Sequence, residues 1–508
     1  MASTKTQEKR EATTPDRLKP TATGRNYVAL LVLLSVALIG GLLAGNVKSI
    51  VRQRYLTATP ISKTVSVFDN GQSVGGINIT LTESHVVSGA SLATYLSDFI
   101  EVDGIHLPEK PASKIVADRV YTGKGILVEH FSDFDDGERL YLVAPGLLFV
   151  WPFVELGHKV HVSSKMSPTK IDIILESFSE TPRVFHVHNF FDNEEADYLI
   201  ERILTIDDEK NKLKQSTVGH ANGPKKVSTI RTSENAFDQV SDGAVRIKKR
   251  SFDMLRIAEY REDQSDGLQL LRYKQKQAYA PHTDYFGTEA KGDWNWDPST
   301  GGSNRFATVF MYLSNVTVGG QTVFPQAWMP EGHEHPPMPS ETAALTNSLF
   351  DRDSWEHDMV EKCSSRLASY PRKTHAILFY SQKPNGEVDP MSRHGGCPVL
   401  EGTKWAANLW VWNRRRYGLD QVHKDKIRVN FVNPTSDTIN LYWKDTKMSS
   451  IEAGKDKLYS SFHGHEWSLR DQNGNILSKH VLSLDDGDDQ TITLPETEMQ
   501  PAHPVDEL

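Results

Sequence analysis

Hydrophobic and polar positions change rhythm several times along the chain. From Tyr27 to Gly45 nothing is charged: YVALLVLLSVALIGGLLAG runs for 19 residues, the length of a membrane-spanning helix. The apolar part of a cleaved signal peptide is about 7–15 residues and sits nearer the start. Here 26 mostly polar residues come first, and Asn46-Val47-Lys48 is a poor cleavage context. The run is therefore expected to be a signal anchor, a single transmembrane helix at 27–45. Lys5, Lys9, Arg10, Arg17, Lys19 and Arg25 precede it; Lys48, Arg52, Arg54 and Lys63 follow. That positive-inside bias predicts a cytosolic tail at 1–26 and a lumenal remainder, a type II topology.

From 60 to 178 the pattern alternates with a period of two, as in Thr64 to Phe68, Ile77 to Thr82, Leu140 to Val143, Val160 to Val162 and Ile171 to Leu175. Such alternation predicts strands and hence a small β-rich domain. No catalytic constellation stands in it. After Pro182 the rhythm shifts: Arg183 to Phe191 reads as a strand and Asp192 opens a helix, with Glu195 completing a capping box. Ala196, Leu199, Ile200, Ile203 and Leu204 share one helical face, and a second amphipathic segment covers Ala244 to Ile257. Short strands follow: Leu268 to Lys274, Arg305 to Leu313, His375 to Tyr380, Met391 to Val399 and Lys404 to Trp412. Two helices flanking short strands predict an α+β domain with a β-sandwich or jelly-roll core. A third unit, 424–495, alternates at Ile427 to Phe431, Ile439 to Trp443 and Trp467 to Arg470, with a hairpin-type turn at Asp471-Gln-Asn-Gly474.

Composition narrows the function. Hydrophobic residues are 38%, charged 24% and aromatic 9% of the 508, enough to bury cores. Acidic residues outnumber basic ones by 66 to 57, and no basic block lies outside the extreme N-terminus, so nucleic acid is not an expected partner. The two cysteines, Cys363 and Cys397, exclude a zinc module built on four thiolates. A metal site must use His and carboxylates.

Such a set exists. In Tyr279-Ala-Pro-His282-Thr-Asp284-Tyr-Phe, His282 and Asp284 fall on the same face of an extended strand. His394, in Met391-Ser-Arg-His394-Gly-Gly-Cys-Pro, supplies a third ligand. Two imidazoles and one carboxylate on one octahedral face leave open positions, as in non-haem Fe(II) oxygenases. Lys404, ten residues on, is a cation able to hold the far carboxylate of an acidic cosubstrate. His186 and His188 share a strand face but have no carboxylate in motif spacing, so they read as strand surface. His333 and His335, in the Pro-rich stretch Glu331 to Pro339, read as solvated. Cys363 and Cys397 could be free core thiols or, in an oxidising lumen, a bridge.

Residues 182–414 resemble the prolyl 4-hydroxylase family of Fe(II)/2-oxoglutarate dioxygenases. The carriers are Leu268-Gln-Leu-Leu-Arg-Tyr273, Gln277-Ala-Tyr279-Ala-Pro-His282-Thr-Asp284-Tyr-Phe, Thr308-Val-Phe-Met-Tyr-Leu313, Gly319-Gly-Gln-Thr-Val-Phe-Pro325, His375-Ala-Ile-Leu-Phe-Tyr380, His394-Gly-Gly-Cys-Pro-Val and Gly402-Thr-Lys404-Trp405. The resemblance implies a double-stranded β-helix core and a catalytic set of His282, Asp284, His394 and Lys404, with iron on the first three. It also implies that Lys404 pairs with the distal carboxylate of 2-oxoglutarate, that the hydroxyls of Tyr273 and Thr308 hydrogen-bond it, and that Tyr279 and Trp410 line the peptide groove. Ascorbate and O2 come with the family, as does a Cys363–Cys397 disulfide. Thr288 to Gly302 and Met329 to Ser365 look like enlarged loops, and Pro371-Arg-Lys-Thr-His replaces the family's Gly-Asp turn. The implied activity is hydroxylation of proline in protein substrates. The alternatives are a peptidyl-lysine hydroxylase, whose family usually anchors the cosubstrate with Arg, and an inactive scaffold that binds hydroxyproline-containing clients.

Val429-Asn-Phe-Val-Asn433, Ile439-Asn-Leu-Tyr-Trp443 and Ser460-Ser-Phe-His-Gly-His465-Glu-Trp467-Ser-Leu-Arg-Asp471 resemble the β domain of the von Hippel–Lindau tumour suppressor. The resemblance implies a small β-sandwich with a hydroxyproline pocket at Trp443, Ser461, His465 and Trp467. Phe462 stands where that family has tyrosine, and the pocket's other tyrosine has no clear match near Met448. Residues 496–508 form a tail ending Val505-Asp-Glu-Leu508, a variant of an endoplasmic-reticulum retrieval signal. Anchor and tail together lead us to expect a catalytic part in the lumen of that organelle. Asn78-Ile-Thr80 and Asn315-Val-Thr317 fit glycosylation acceptors. Neither the substrate protein nor the oligomeric state is legible.

Overall fold

The computed structural model describes residues 61–494 apart from 107–113, 210, 219–225, 228, 290–294, 417–425, 463–464, 484–485 and 488. The expected cytosolic tail, the anchor at 27–45 and the C-terminal retrieval sequence lie outside the described residues. Among those residues no helix is long and apolar enough to cross a membrane. Asn78 and Asn315 are both exposed.

A nine-stranded sheet forms the backbone of the molecule. Its strands run in the spatial order Lys159–Val162, Ile173–Ser179, Val184–His188, His375–Tyr380, Arg305–Tyr312, Lys404–Trp412, Leu268–Tyr273, Glu234–Asp238 and Lys214–Gln215. A four-stranded sheet of Tyr279–His282, His394–Gly396, Thr322–Phe324 and Leu367–Ser369 faces it. Phe324 and Leu367 of the smaller sheet pack with Tyr312, Ile377 and Phe379 of the larger in one buried cluster. This is the two-layer arrangement that the alternating strands called for.

Two of the strands expected in the N-terminal domain extend the large sheet instead. Lys159–Val162 and Ile173–Ser179 pair onward to Val184–His188, so the N-terminal sheet keeps only Ile77–Thr82, Ser62–Asp69, Arg139–Val143 and Arg119–Thr122. That smaller sheet shares a core with the larger domain. Trp151, fully buried, donates Nε1–H to the Met254 carbonyl at 2.8 Å, and its backbone N–H donates to the Tyr380 hydroxyl at 3.2 Å. Pattern alone could not reveal this, because alternation marks a strand but not its neighbour.

The helix after Asp192 spans Asn193–Thr205, and the Asp192 carboxylate accepts the Glu195 N–H at 2.8 Å. The expected capping box does not close. Glu195 turns inward to the buried Arg250 of the helix Asp242–Met254, accepting two hydrogen bonds at 2.8 and 2.9 Å. A fully buried guanidinium needs such a bidentate partner. The stretch Met391 to Val399, expected as one strand, breaks into His394–Gly396 and Val399–Glu401 around Cys397-Pro398, where proline cannot donate to the ladder.

The stretch Met329 to Ser365 is not a plain loop. It carries the helices Thr342–Leu349 and Trp355–Ser365. The second is fixed by the Cys363–Cys397 disulfide to the chain just past His394. Its Met359 packs so close to Gly395 that a Cβ there would meet the Met359 methyl at 2.6 Å and the Tyr279 carbonyl at 2.9 Å. Only glycine lets this helix back the metal strand.

The C-terminal unit is a small two-sheet structure. Asp456–Phe462, Lys426–Val432 and Asp489–Thr493 form one sheet; Thr446–Ile451, Ile439–Trp443, Glu466–Arg470 and Ile476–Val481 form the other. Ile427, Val429, Phe431, Leu441, Trp467 and Leu469 fill a core of its own.

Candidate metal centre and cosubstrate pocket

His282 and His394 oppose each other on neighbouring antiparallel strands of the smaller sheet, and Asp284 follows His282 by two residues. Antiparallel pairing brings the two imidazoles together, with ring centres 4.6 Å apart. Asp284 lies between them: Oδ1 is 3.6 Å from His282 Nε2 and Oδ2 is 3.6 Å from His394 Nε2. One ligand atom from each residue falls within 4.8 Å of the others, and among the described residues no other group of three such side chains does so.

The remaining atoms are already spoken for. Nδ1 of His282 lies 3.0 Å from the Ala280 carbonyl, and Nδ1 of His394 lies 3.0 Å from the Ser392 carbonyl. Each Nδ1–H therefore donates to backbone, and each Nε2 lone pair is left for a metal. Thr308 Oγ1 donates to Asp284 Oδ2 at 2.7 Å. Burial alone would push the Asp284 carboxyl up, but the His394 and His282 imidazoles and Arg305 more than offset it, and the group stays ionised. Burial lowers His394 to about 4, so it is a neutral ligand at physiological pH. A carboxylate and two imidazoles that keep Nε2 free fit Fe(II).

Next to the triad stands a buried ammonium. Lys404 is 1% exposed, and Nζ is 5.3 Å from the Tyr273 ring centre, 4.9 Å from Phe310 and 5.3 Å from Tyr312. Among the described residues no carboxylate lies within ion-pair distance of it, and burial pulls its pKa down to about 7. An isolated buried cation is costly; this one is aimed at a cavity lined by Tyr273, Tyr279, Thr322, His282, His394, Asn408 and Trp410. The strand Lys404–Trp412 builds one wall with its period of two: Lys404, Asn408 and Trp410 all face inward. Asn408 Oδ1 and Trp410 Nε1 are buried with no hydrogen-bond partner. The donor among these, Trp410 Nε1–H, beside the Lys404 cation fits an acidic cosubstrate.

One residue is placed differently from expectation. Thr308, expected to hydrogen-bond the cosubstrate, has its hydroxyl proton committed to Asp284, and a hydroxyl has only one to give. Thr322 lines the Lys404 pocket in its place; Tyr312 donates to its oxygen at 2.8 Å. Tyr273 remains at the Lys404 end. Tyr279 and Trp410 line the same cavity, each stacked on a cation. Arg231 lies 4.6 Å over Tyr279, whose other neighbour is the His282 ring at 3.7 Å, and Arg305 lies 3.6 Å over Trp410. Arg305 also donates to the Asp284 carbonyl at 3.2 Å and pairs with Asp266 at 2.9 Å. Arg231, Arg305, Thr322 and Asn408 escaped the sequence reading. Only the parity of Asn408 with Lys404 on one strand could have flagged any of them.

The four residues expected in the C-terminal pocket also come together. Trp443 and Trp467 are cross-strand partners. Trp467 Nε1–H donates to Ser461 Oγ at 2.8 Å, Ser461 Oγ is 3.1 Å from His465 Nδ1, and the His465 ring centre is 5.1 Å from that of Trp443.

Comparison with known proteins agrees with the iron-site geometry. Residues 268–412 match the family model of the 2OG-Fe(II) oxygenase superfamily. The chain is 35% identical over 238 residues to probable prolyl 4-hydroxylase 3 of Arabidopsis thaliana, covering 46% of this chain and 71% of that protein. The chain belongs to the prolyl 4-hydroxylase family. Prolyl 4-hydroxylase 5 of the same plant is 33% identical over 241 residues, 46% of this chain and 70% of the relative. Among solved structures, the viral collagen prolyl hydroxylase of Paramecium bursaria Chlorella virus-1 matches at a TM-score of 0.27 and 19% identity, covering 45% of this chain and 95% of that one. A TM-score that low carries no structural argument. Family membership makes the protein an Fe(II)- and 2-oxoglutarate-dependent dioxygenase, with ascorbate as the family's usual reductant.

Proposed function

We propose that this dioxygenase is a peptidyl-prolyl 4-hydroxylase, anchored in the endoplasmic reticulum membrane with its catalytic part in the lumen. The observation that carries the catalytic reading is the unpaired Lys404 ammonium buried beside His282, Asp284 and His394. It fits a dicarboxylate cosubstrate, and lysine at this position is the prolyl choice rather than the lysyl one. Relatives named as prolyl 4-hydroxylases support proline as the substrate. The disulfide supports an oxidising compartment. The charge-free run at 27–45 supports the anchor.

Bound Fe(II), with 2-oxoglutarate and O2, would supply the oxidising power that inserts one oxygen atom into a C–H bond while the other leaves in succinate. The chain's own residues do the positioning. His282 and His394 hold the metal through Nε2 because their Nδ1 protons are tied to backbone carbonyls. Thr308 keeps one Asp284 oxygen turned toward its own hydroxyl. Lys404 fixes the far carboxylate, and Tyr273, Phe310 and Tyr312 keep water away from that ion pair. Tyr279 and Trp410, pinned by Arg231 and Arg305, offer flat aromatic surfaces against which a proline ring can be oriented.

The test is direct. The full chain is incubated with proline-rich peptides, Fe(II), ascorbate and 2-oxoglutarate, beside peptides in which lysine replaces proline. A gain of one oxygen on proline supports the proposal; a gain only on lysine selects the peptidyl-lysine alternative.

We also infer that the C-terminal unit reads hydroxyproline. Beside His465 the Trp443 Nε1–H is buried without a partner among the described residues, as a receptor for a hydroxylated ring requires. A hydroxyproline peptide and its proline counterpart, titrated into the full chain with the iron site disabled by His394→Ala, test this: equal affinity overturns it.

A further inference from the structure

The chain holds three Asn-x-Thr sequences, at Asn78-Ile-Thr80, Asn315-Val-Thr317 and Asn433-Pro-Thr435, and the structure treats them differently. Asn433 is fully buried, and its Nδ2 donates to the carbonyls of Asp437, Ile451 and Glu452 at 2.8, 3.0 and 3.1 Å. Proline in the middle position also disqualifies it as an acceptor of an N-linked oligosaccharide. The other two have no such proline, and Asn78, Thr80, Asn315 and Thr317 are all exposed.

At both exposed sites the amide is held through its oxygen. Asn315 Oδ1 accepts the Lys373 backbone N–H at 2.9 Å, and Asn78 Oδ1 accepts the Ser66 hydroxyl at 2.7 Å. A backbone N–H can meet only the oxygen end of an amide, so the Asn315 nitrogen is turned away from Lys373. Among the described residues neither Nδ2 has a hydrogen-bond partner. A sugar on Nδ2 leaves Oδ1 an acceptor, so both existing bonds survive attachment. Both sites also stand clear of the catalytic cavity. Thr308 pairs with Trp410 and Tyr312 with Ala406, so Asn315, beyond Tyr312, leaves the sheet at its Lys404 end. Asn78 and Thr80 alternate with the buried Ile79 and Leu81, which puts them on the outer face of the N-terminal sheet.

We propose that Asn78 and Asn315 each carry an N-linked oligosaccharide. The proposal rests on the lumenal placement of the catalytic part. The donor is an oligosaccharide joined through its C1 to a lipid diphosphate. The C1–O bond to the diphosphate breaks, a C1–Nδ2 bond forms, Nδ2 gives up one proton, and the lipid diphosphate leaves with the bonding pair. No electron changes hands, so no oxidant or reductant is needed. The result is a bulky polar group on an exposed surface of each of two units, the N-terminal sheet and the oxygenase domain.

The experiment expresses the full chain in cells with a secretory pathway. The purified protein is digested and treated with peptide-N-glycosidase in H2 18O, which turns each glycosylated asparagine into labelled aspartate. Mass spectrometry of the wild type should find the label at positions 78 and 315 and none at 433. Asn78→Gln and Asn315→Gln should each remove one step of electrophoretic mobility. Thr317→Ala should match Asn315→Gln, because the hydroxyl is part of the acceptor. A control acceptor comes from Lys444→Asn, which completes Asn-Asp-Thr at an exposed turn whose φ of 52° suits asparagine. An asparagine left bare at 78 or 315 beside a glycosylated control overturns the proposal at that site. If neither the native acceptors nor the control is modified, the lumenal placement itself is overturned.

Discussion

The iron site and the C-terminal aromatic cluster are built from similar parts, yet they leave their polar atoms in opposite states. In the iron site His282 and His394 commit Nδ1 to backbone and keep Nε2 free, and among the described residues Lys404 has no counter-charge. In the C-terminal cluster Trp467 and Ser461 satisfy each other, and Ser461 is also in contact with His465. Trp467 is core as well, 3% exposed and packed with Phe431 and Tyr459. A preorganised site keeps buried valences open at a cost in stability, whereas a structural cluster closes them. By that measure, of the four residues in the C-terminal cluster only Trp443, through Nε1, is of the first kind.

The comparison breaks most sharply if the open valences do nothing. Asp284→Ala and His394→Ala should reduce succinate formation to background while far-ultraviolet circular dichroism stays native. Full turnover in either variant contradicts the metal assignment.

Lys404 comes next. Lys404→Ala should raise the apparent KM for 2-oxoglutarate by roughly two to almost four orders of magnitude, from about 3–5 kcal/mol for stranding the partner charge. Lys404→Met should do the same yet raise the Tm of the cosubstrate-free protein, because it removes an unpaired buried ammonium. A Tm that falls would show that Lys404 has a structural partner. Since burial holds Lys404 at about 7, its charged form prevails below that pH. Affinity for 2-oxoglutarate should therefore hold below pH 7 and fall by about tenfold per unit above it, with proton uptake on binding. A Kd flat across this range in calorimetry sinks the assignment.

A smaller effect separates the two threonines. Thr308→Val should weaken metal binding about tenfold or more by freeing an Asp284 oxygen, with little change in cosubstrate KM. Thr322→Val should do the reverse. The same response from both would mean that the hydroxyl of Thr308 serves the cosubstrate after all.

The C-terminal variants come last in their effect on catalysis. Trp467→Ala should destabilise its unit by about 3–5 kcal/mol as a core deletion, making it a poor probe of recognition. Trp443→Ala should leave that unit folded and remove any preference for hydroxyproline. If the reader holds product near the active site, Trp443→Ala should slow modification of long repeated-proline substrates and spare single-proline peptides.

What was legible in the sequence tracks how local each feature is. The positions of His282, Asp284, His394 and Lys404 follow from strand parity and motif order, and the helix at Asn193–Thr205 follows from its apolar face and Asp192. Glu195 reads as a cap because its true partner, Arg250, is 55 residues away. Thr308 and Thr322 are both hydroxyls on short strands, and only sheet pairing decides which one meets Asp284. For the same reason Lys159–Val162 and Ile173–Ser179 read as strands, while only ladder pairing shows that they join the larger sheet. His186 and His188 read as strand surface, and the partner of His188, Glu176 at 2.7 Å, comes across a ladder that no local spacing records.

The central claim is that this triad, with Lys404, drives proline hydroxylation. The most direct measurement supplies the full chain with 18O2, 2-oxoglutarate, Fe(II), ascorbate and a proline-rich peptide, then follows the label by mass spectrometry. The account predicts one labelled oxygen in hydroxyproline for each labelled succinate, and neither product with Asp284→Ala. Succinate without labelled hydroxyproline on any peptide, or labelled hydroxyproline made equally well by Asp284→Ala, would contradict it.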